Sequence, residues 1–194
     1  MANTISDLPI LRHLHHGTKP RPPLKMIEFF WAPPPLGYIK INTDGASKGN
    51  PGPSGWGSIF RDENNKIRGV YYGGLGISSS HMEETMAVTH SLLKAVEQGW
   101  KNFWIESDSE AVVHDFQSGK VHWLVKKQWQ QVSTLFENII FSGDKREVNF
   151  AADNCANRGV LLERDQRIWW LGSPPFDLEV EDPLIIYSRI VTKY

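Results

Sequence analysis

The chain is poor in cysteine: of 194 residues, Cys155 alone is one, so no disulfide can form within it. That suits a reducing compartment. Long apolar runs are missing too. None reaches the roughly 20 residues that cross a bilayer, and the N-terminus has no apolar signal core. An intracellular protein, cytoplasmic or nuclear, is the expectation. Nor does charge of one sign dominate: 21 Lys and Arg against 22 Asp and Glu give a net charge of −1 and a pI near 6.7. Without a global basic field, a nucleic-acid partner must be held by a local patch or through metal ions. No internal repeat is present. What remains is a 40% hydrophobic chain with eight Trp, enough for one domain with appendages.

The chain is organised around Tyr38 to Asp62. Tyr38, Lys40, Asn42 and Asp44 alternate with Ile39, Ile41 and Thr43, the period of a strand. Gly49 to Gly57 is rich in Gly and Pro and must turn. Trp56, Ser58 and Phe60 then alternate with Gly57, Ile59 and Arg61 as an antiparallel partner strand. A turn at Glu63–Lys66 leads to a third strand, Ile67–Leu75. Before this unit, His13, His15 and His16 sit among prolines in a leader best read as solvated, with Trp31 placed to dock it. After Val160 the chain reads as irregular.

Four carboxylates stand out. Asp44 ends a strand, where Asp is depleted, although an Asp before Gly45 also suits a turn. Met82–Gly99 reads as a helix, with Ser80 and Glu83 as a capping box and Gly99 as its stop. Glu84 shares one face of it with Ala87, Val88, Ser91, Leu92 and Ala95, whereas Glu83 lies off that stripe. A dipole-favoured charge is the plainer reading of Glu84. Asp108 ends the strand Phe103–Asp108, with Glu106 on the same side as a competitor and helix capping as its plainer role. Asp153 shares a face with Ala156 and Val160 in a short helix, Asn149–Gly159. Between these, Val121–Glu137 reads as a long helix in which Trp123, Lys126, Lys127 and Trp129 suit either nucleic acid or an ordinary amphipathic face, and Asn138–Phe141 as a last strand.

If the strands ending at Asp44 and Asp108 are parallel neighbours, the four acids can converge. Like charges so close raise one another's pKa values. Divalent cations resolve the conflict. Mg²⁺ takes oxygen ligands and shares phosphate oxygens with a substrate, and two ions about 4 Å apart clamp both oxygens of a phosphodiester displacement. Two Mg²⁺, with Mn²⁺ as a substitute, are therefore the expected cofactors.

Four ordered segments also resemble the ribonuclease H family: TDGASKGNPGPSGWG, EETMAVTHSLLKA, WIESDS and REVNFAADNCA. The resemblance covers Tyr38 to Gly159. It places the catalytic, metal-binding acids at Asp44, Glu84 rather than Glu83, Asp108 rather than Glu106, and Asp153. It implies an α/β fold of the α+β kind, a five-stranded mixed sheet of order 3-2-1-4-5 flanked by helices. It implies endonucleolytic cleavage of RNA in an RNA–DNA hybrid, leaving 5′-phosphate and 3′-hydroxyl ends. Nucleic-acid contacts are expected at Gly45, Ser47, Asn50, Ser80, His81 and Asn149, with 2′-hydroxyls read in the minor groove.

The flanks, Trp31-Ala-Pro-Pro-Pro-Leu-Gly and Trp169 to Tyr187, resemble plant ribonuclease H-like proteins related to retroelement reverse transcriptases. The expected organisation is a leader (1–35), a ribonuclease H-like domain (36–160) and an irregular extension (161–194), acting as a monomer on nucleic acid and not on membranes. The chain departs from the family pattern in two places. Gly143 stands where many members carry a His six residues before the final Asn, and Ser80-His81 replaces a pair of Asn. His114 and His122 are candidate substitutes for that His, or plain solvent-facing residues. The alternative function is accordingly a catalytically weak or inactive nucleic-acid-binding module derived from a reverse transcriptase.

Overall fold

The computed structural model describes residue 13, residues 24–143 and residues 145–192. His15 and His16 lie outside the described residues. Two units are distinguished. In one, which takes in residues up to Glu28 and from Ser188, strands β1 (Leu24–Phe30) and β8 (Ile186–Thr192) pair as a two-stranded sheet.

The other unit, Phe29–Tyr187, holds the remaining elements. They are β2 (Ile39–Ser47), β3 (Gly52–Arg61), β4 (Ile67–Ser78), α1 (Ser80–Glu97), β5 (Asn102–Ser107), α2 (Glu110–Ser118), α3 (Lys126–Val132), β6 (Asn138–Gly143), a one-turn 3-10 helix (Arg146–Val148), α4 (Phe150–Gly159) and β7 (Arg167–Leu171). The strands form one mixed sheet in the order β6-β5-β2-β3-β4-β7. β2, β5 and β6 run parallel; β3, β4 and β7 join antiparallel. The five strands expected from sequence lie in the expected order. The sixth, β7, comes from the stretch read as irregular and pairs with β4 from Gly69↔Leu171 to Gly73↔Arg167. Short aromatic strands in a polar tail carry little periodic signal; pairing on an open sheet edge makes this one.

Alternation along β3 and β4 sends side chains to two cores. Trp56, Phe60 and Tyr71 pack with Ala87, Val88 and Leu92 of α1 on one face. Ile59, Val70 and Tyr72 pack with Ala151 and Cys155 of α4 on the other. There α4 lies backbone-to-backbone on the sheet: a Cβ on Gly57 would come within 2.1 Å of Ala156 N, and one on Gly55 within 2.2 Å of Gly159 C.

Several bounds differ from the sequence reading. β2 does not stop at Asp44 but pairs on through Ser47↔Ser54, which confines the turn to the residues between Ser47 and Gly52. Helix α1 starts earlier than predicted, with Ser79 as N-cap, and no capping box forms. Ser80 Oγ instead accepts from Asn50 Nδ2 at 3.3 Å, and Glu83 accepts from Ser54 Oγ at 2.7 Å. The long helix predicted over Val121–Glu137 shrinks to α3. Val121 and Val125 are buried in the non-helical stretch before it, so core packing overrides the helical period. Trp129 packs on Phe116 at 5.3 Å, as a core residue does, while Trp123 is exposed.

Outside the matched motifs, Trp31 is buried between the Lys40 ammonium, 4.4 Å from its ring, and the Arg61 guanidinium at 3.9 Å. Arg61 also pairs with Glu181 at 2.8 Å, and Lys40 with Glu106 at 2.7 Å.

Candidate metal centre

Parallel pairing of β2 with β5 sets Thr43 opposite Ser107, so Asp44 and Asp108 lie at the same end of adjacent strands. Helix α1 packs over β2 and brings Glu84 to that end. Carboxylate oxygens of Asp44, Glu84 and Asp108 all fall within 4.8 Å of one another. Asp153, exposed on the first turn of α4, lies outside that tight group but lines the same cleft of about 710 Å³, with Asp44 and Glu84. Glu106, the competing acid, turns instead to Lys40.

The cluster is electrostatically unbalanced. Burial, then the charges of Glu84, Asp108 and Asp153, hold the Asp44 carboxyl well above its usual range. Burial and the Asp108 charge push Glu84 up to about 7, against the opposing pull of hydrogen bonds with Asp44, the Gly45 backbone and Ser107. The donor set is all oxygen, concentrated and short of positive charge, which fits hard divalent cations. Asp44, Glu84 and Asp108 would hold such an ion.

The rest of the cleft mixes polar and apolar surface. Gly45, Ser47, Gly49 and Asn50 form one wall, Ser80 and Glu83 another, and Arg146, Asn149 and Phe150 a third. Gly45 N donates to Asp44 Oδ1 at 2.8 Å, fixing that carboxylate. Asn149 Nδ2 donates to Thr43 O at 3.0 Å, tying the base of α4 to β2. Its Oδ1 is buried and has no hydrogen-bond partner among the described residues. Of the contacts expected from sequence, His81 is not among the cleft residues; it faces Asp115 of α2 at 3.6 Å. His114 is exposed beside Asp115, and neither it nor His122 lines the cleft.

Glu83 and Arg146 are among the cleft residues that the sequence reading did not assign to the site. Glu83, placed off the packing stripe, is 1% exposed because β2 runs on beneath it: Gly45 is so close that a Cβ there would meet Glu83 Cβ at 2.6 Å. Arg146 ion-pairs with Asp108 at 2.7 Å. Its one signal was a cation within the REVN segment, three residues before Asn149.

A family model described as Reverse transcriptase-like matches residues 42–159. Ribonuclease H of Polynucleobacter asymbioticus is 33% identical over 146 residues, which cover 63% of this chain and 90% of that protein. Ribonuclease H of Albidiferax ferrireducens is 30% identical over 153 residues, covering 68% and 100%. An Arabidopsis thaliana protein described as a ribonuclease H protein is 30% identical over 160 residues, 76% of this chain, but the match spans just 23% of the plant protein. Among solved structures, the N-terminal RNase H domain of a Mycobacterium tuberculosis protein superposes with a TM-score of 0.59 at 26% identity, covering 63% of this chain and 93% of that one. LC11-RNase H1, solved in complex with an RNA/DNA hybrid, gives 0.55 at 25% identity, covering 63% and 96%.

Proposed function

Given that the chain belongs to the ribonuclease H family, we propose that it hydrolyses the RNA strand of RNA–DNA hybrids with the help of two divalent cations. The observation that carries this reading is the meeting of Asp44, Glu84 and Asp108 at one end of a parallel strand pair, with Asp153 on the same cleft. When bound, Mg²⁺ ions would supply a more acidic water and charge neutralisation at the phosphodiester. The chain's own residues do the rest. Gly45 N holds Asp44 in one orientation, and Ser107 Oγ, 3.3 Å from Glu84 Oε2, does the same for Glu84. The Asn149 bond to Thr43 O fixes the start of α4, and with it the approach of Asp153. Ser47 and Asn50 line the cleft and would meet the minor groove of the hybrid, where 2′-hydroxyls mark RNA.

The test is a labelled RNA–DNA duplex incubated with Mg²⁺. Shortened RNA with 5′-phosphate and 3′-hydroxyl ends is expected from the natural chain and none from Asp44→Asn. Equal products from both would overturn the proposal.

A slower enzyme that chiefly binds is the second reading, favoured by Gly143. That residue offers no side chain for proton transfer, and a Cβ there would meet nothing nearer than Glu110 Cγ at 3.7 Å. The first side-chain atom of Gly143→His therefore meets no more than ordinary contact. A rise of roughly a hundredfold in the single-turnover rate is expected, at the low end of what a positioned acid or base contributes; an unchanged rate would remove this reading.

A further inference from the structure

A cation already sits on the acid cluster. Arg146 Nε lies 2.7 Å from Asp108 Oδ2, and the arginine side chain is 87% exposed while that of Asp108 is 8% exposed. Arg146 projects from the 3-10 turn just before Asn149 and lines the cleft together with Asp44, Glu84 and Asp153. The adjacent Lys145 is engaged elsewhere, with Glu110 at 3.4 Å.

This arrangement has two physical consequences. Arg146 uses an oxygen of the carboxylate that a divalent ion also requires, so the arginine and the ion compete for Asp108. A pair made by so exposed a guanidinium is weak and exchanges readily. Once released, the planar five-donor head matches a phosphate better than any other side chain does. It would then stand at the mouth of a cleft in a chain whose net charge of −1 offers no general attraction to nucleic acid.

We propose that Arg146 is a phosphate-binding residue of the cleft that caps Asp108 in the metal-free protein and passes to a backbone phosphate of the nucleic acid when divalent cations take that carboxylate. The inference rests on the metal-dependent reading of the site, and its test does not measure turnover.

The experiment compares the full chain with Arg146→Ala and Arg146→Lys. Calorimetric titration with Mn²⁺, without nucleic acid, should show Arg146→Ala binding the ion about two- to fivefold more tightly, because a competitor of modest strength is gone. Binding of a fluorescent RNA–DNA hybrid in Ca²⁺ is then followed across a salt series. The slope of log affinity against log salt should fall by about 0.7–0.9 in Arg146→Ala, the loss of one phosphate contact, and be largely kept in Arg146→Lys. Unchanged or weaker Mn²⁺ binding in Arg146→Ala would overturn the capping role, and an unchanged slope the phosphate contact. Failure of the hybrid to be cleaved would count against the proposed function and leave both readings of Arg146 intact.

Discussion

Glu84 concentrates the chemistry of this cleft in one carboxyl. Its pKa is raised from 4.5 to about 7, chiefly by burial and then by Asp108. A carboxyl raised in this way holds its proton more tightly in the folded chain than in the unfolded one. Its contribution to stability is therefore full below 4.5 and lost as pH rises toward about 7. The loss is on the order of 3 kcal/mol at one pKa unit per 1.36 kcal/mol. Asp44, also raised, acts in the same direction. Urea denaturation of the metal-free protein should show stability falling across this window, and Glu84→Gln should flatten the profile. A natural chain that gains stability between those limits would contradict the electrostatic picture. Added Mg²⁺ should restore stability at the upper end, since ligands that bind only the folded state stabilise it.

Helix α4 is placed by what the sheet beneath it lacks. Gly57 has no Cβ, and Ala156 N lies where one would go, 2.1 Å away. Gly57 is the partner of Asp44 across β2 and β3. The same close approach therefore seats the helix bearing Asp153 beside the strand bearing Asp44. Gly57→Ala must push backbone from backbone. A loss of roughly 3 kcal/mol is expected, at the upper end for overpacking, together with weaker metal binding, as measured by denaturant titration and calorimetry. A variant of natural stability and metal affinity would show that α4 is not held by this contact. α3 makes the opposite case: its amphipathic pattern runs longer than the helix, because the core takes Val121 and Val125 in a non-helical stretch.

At the scale of the molecule, the unit that folds is larger than the segment that resembles a family. Residues 42–159 match, yet Arg61, 0% exposed, finds its carboxylate on Glu181, and its cationic face lies on Trp31. Glu181 Oε1 also accepts from Ala151 N at 2.9 Å, which caps the first turn of α4 with a negative charge. Strand β7 closes an edge of the sheet from the same tail. Glu181→Ala leaves Arg61 without its carboxylate and should lose about 3–5 kcal/mol. Replacing both partners with apolar residues, Arg61→Met with Glu181→Leu, should lose much less, because no buried charge is stranded. Equal losses from the single and double variants in urea denaturation would contradict that account.

Strands β2 to β6 and the candidate acids stood out in the chain through period, turn residues and spacing, which are local properties of sequence. The order of those strands, and the choice of Glu84 over Glu83 and Asp108 over Glu106, came from the resemblance of four ordered segments to a family. Folding decided what depends on contacts between distant segments. It chose Glu83 for burial by running β2 past Asp44, drew Asp44, Glu84 and Asp108 closer together than Asp153, and turned His81 toward α2 rather than the cleft. It also recruited Glu181 and β7 into the domain. No residue's own propensity encodes these outcomes. Each follows from which surface a charge or an aromatic ring meets once the sheet has formed.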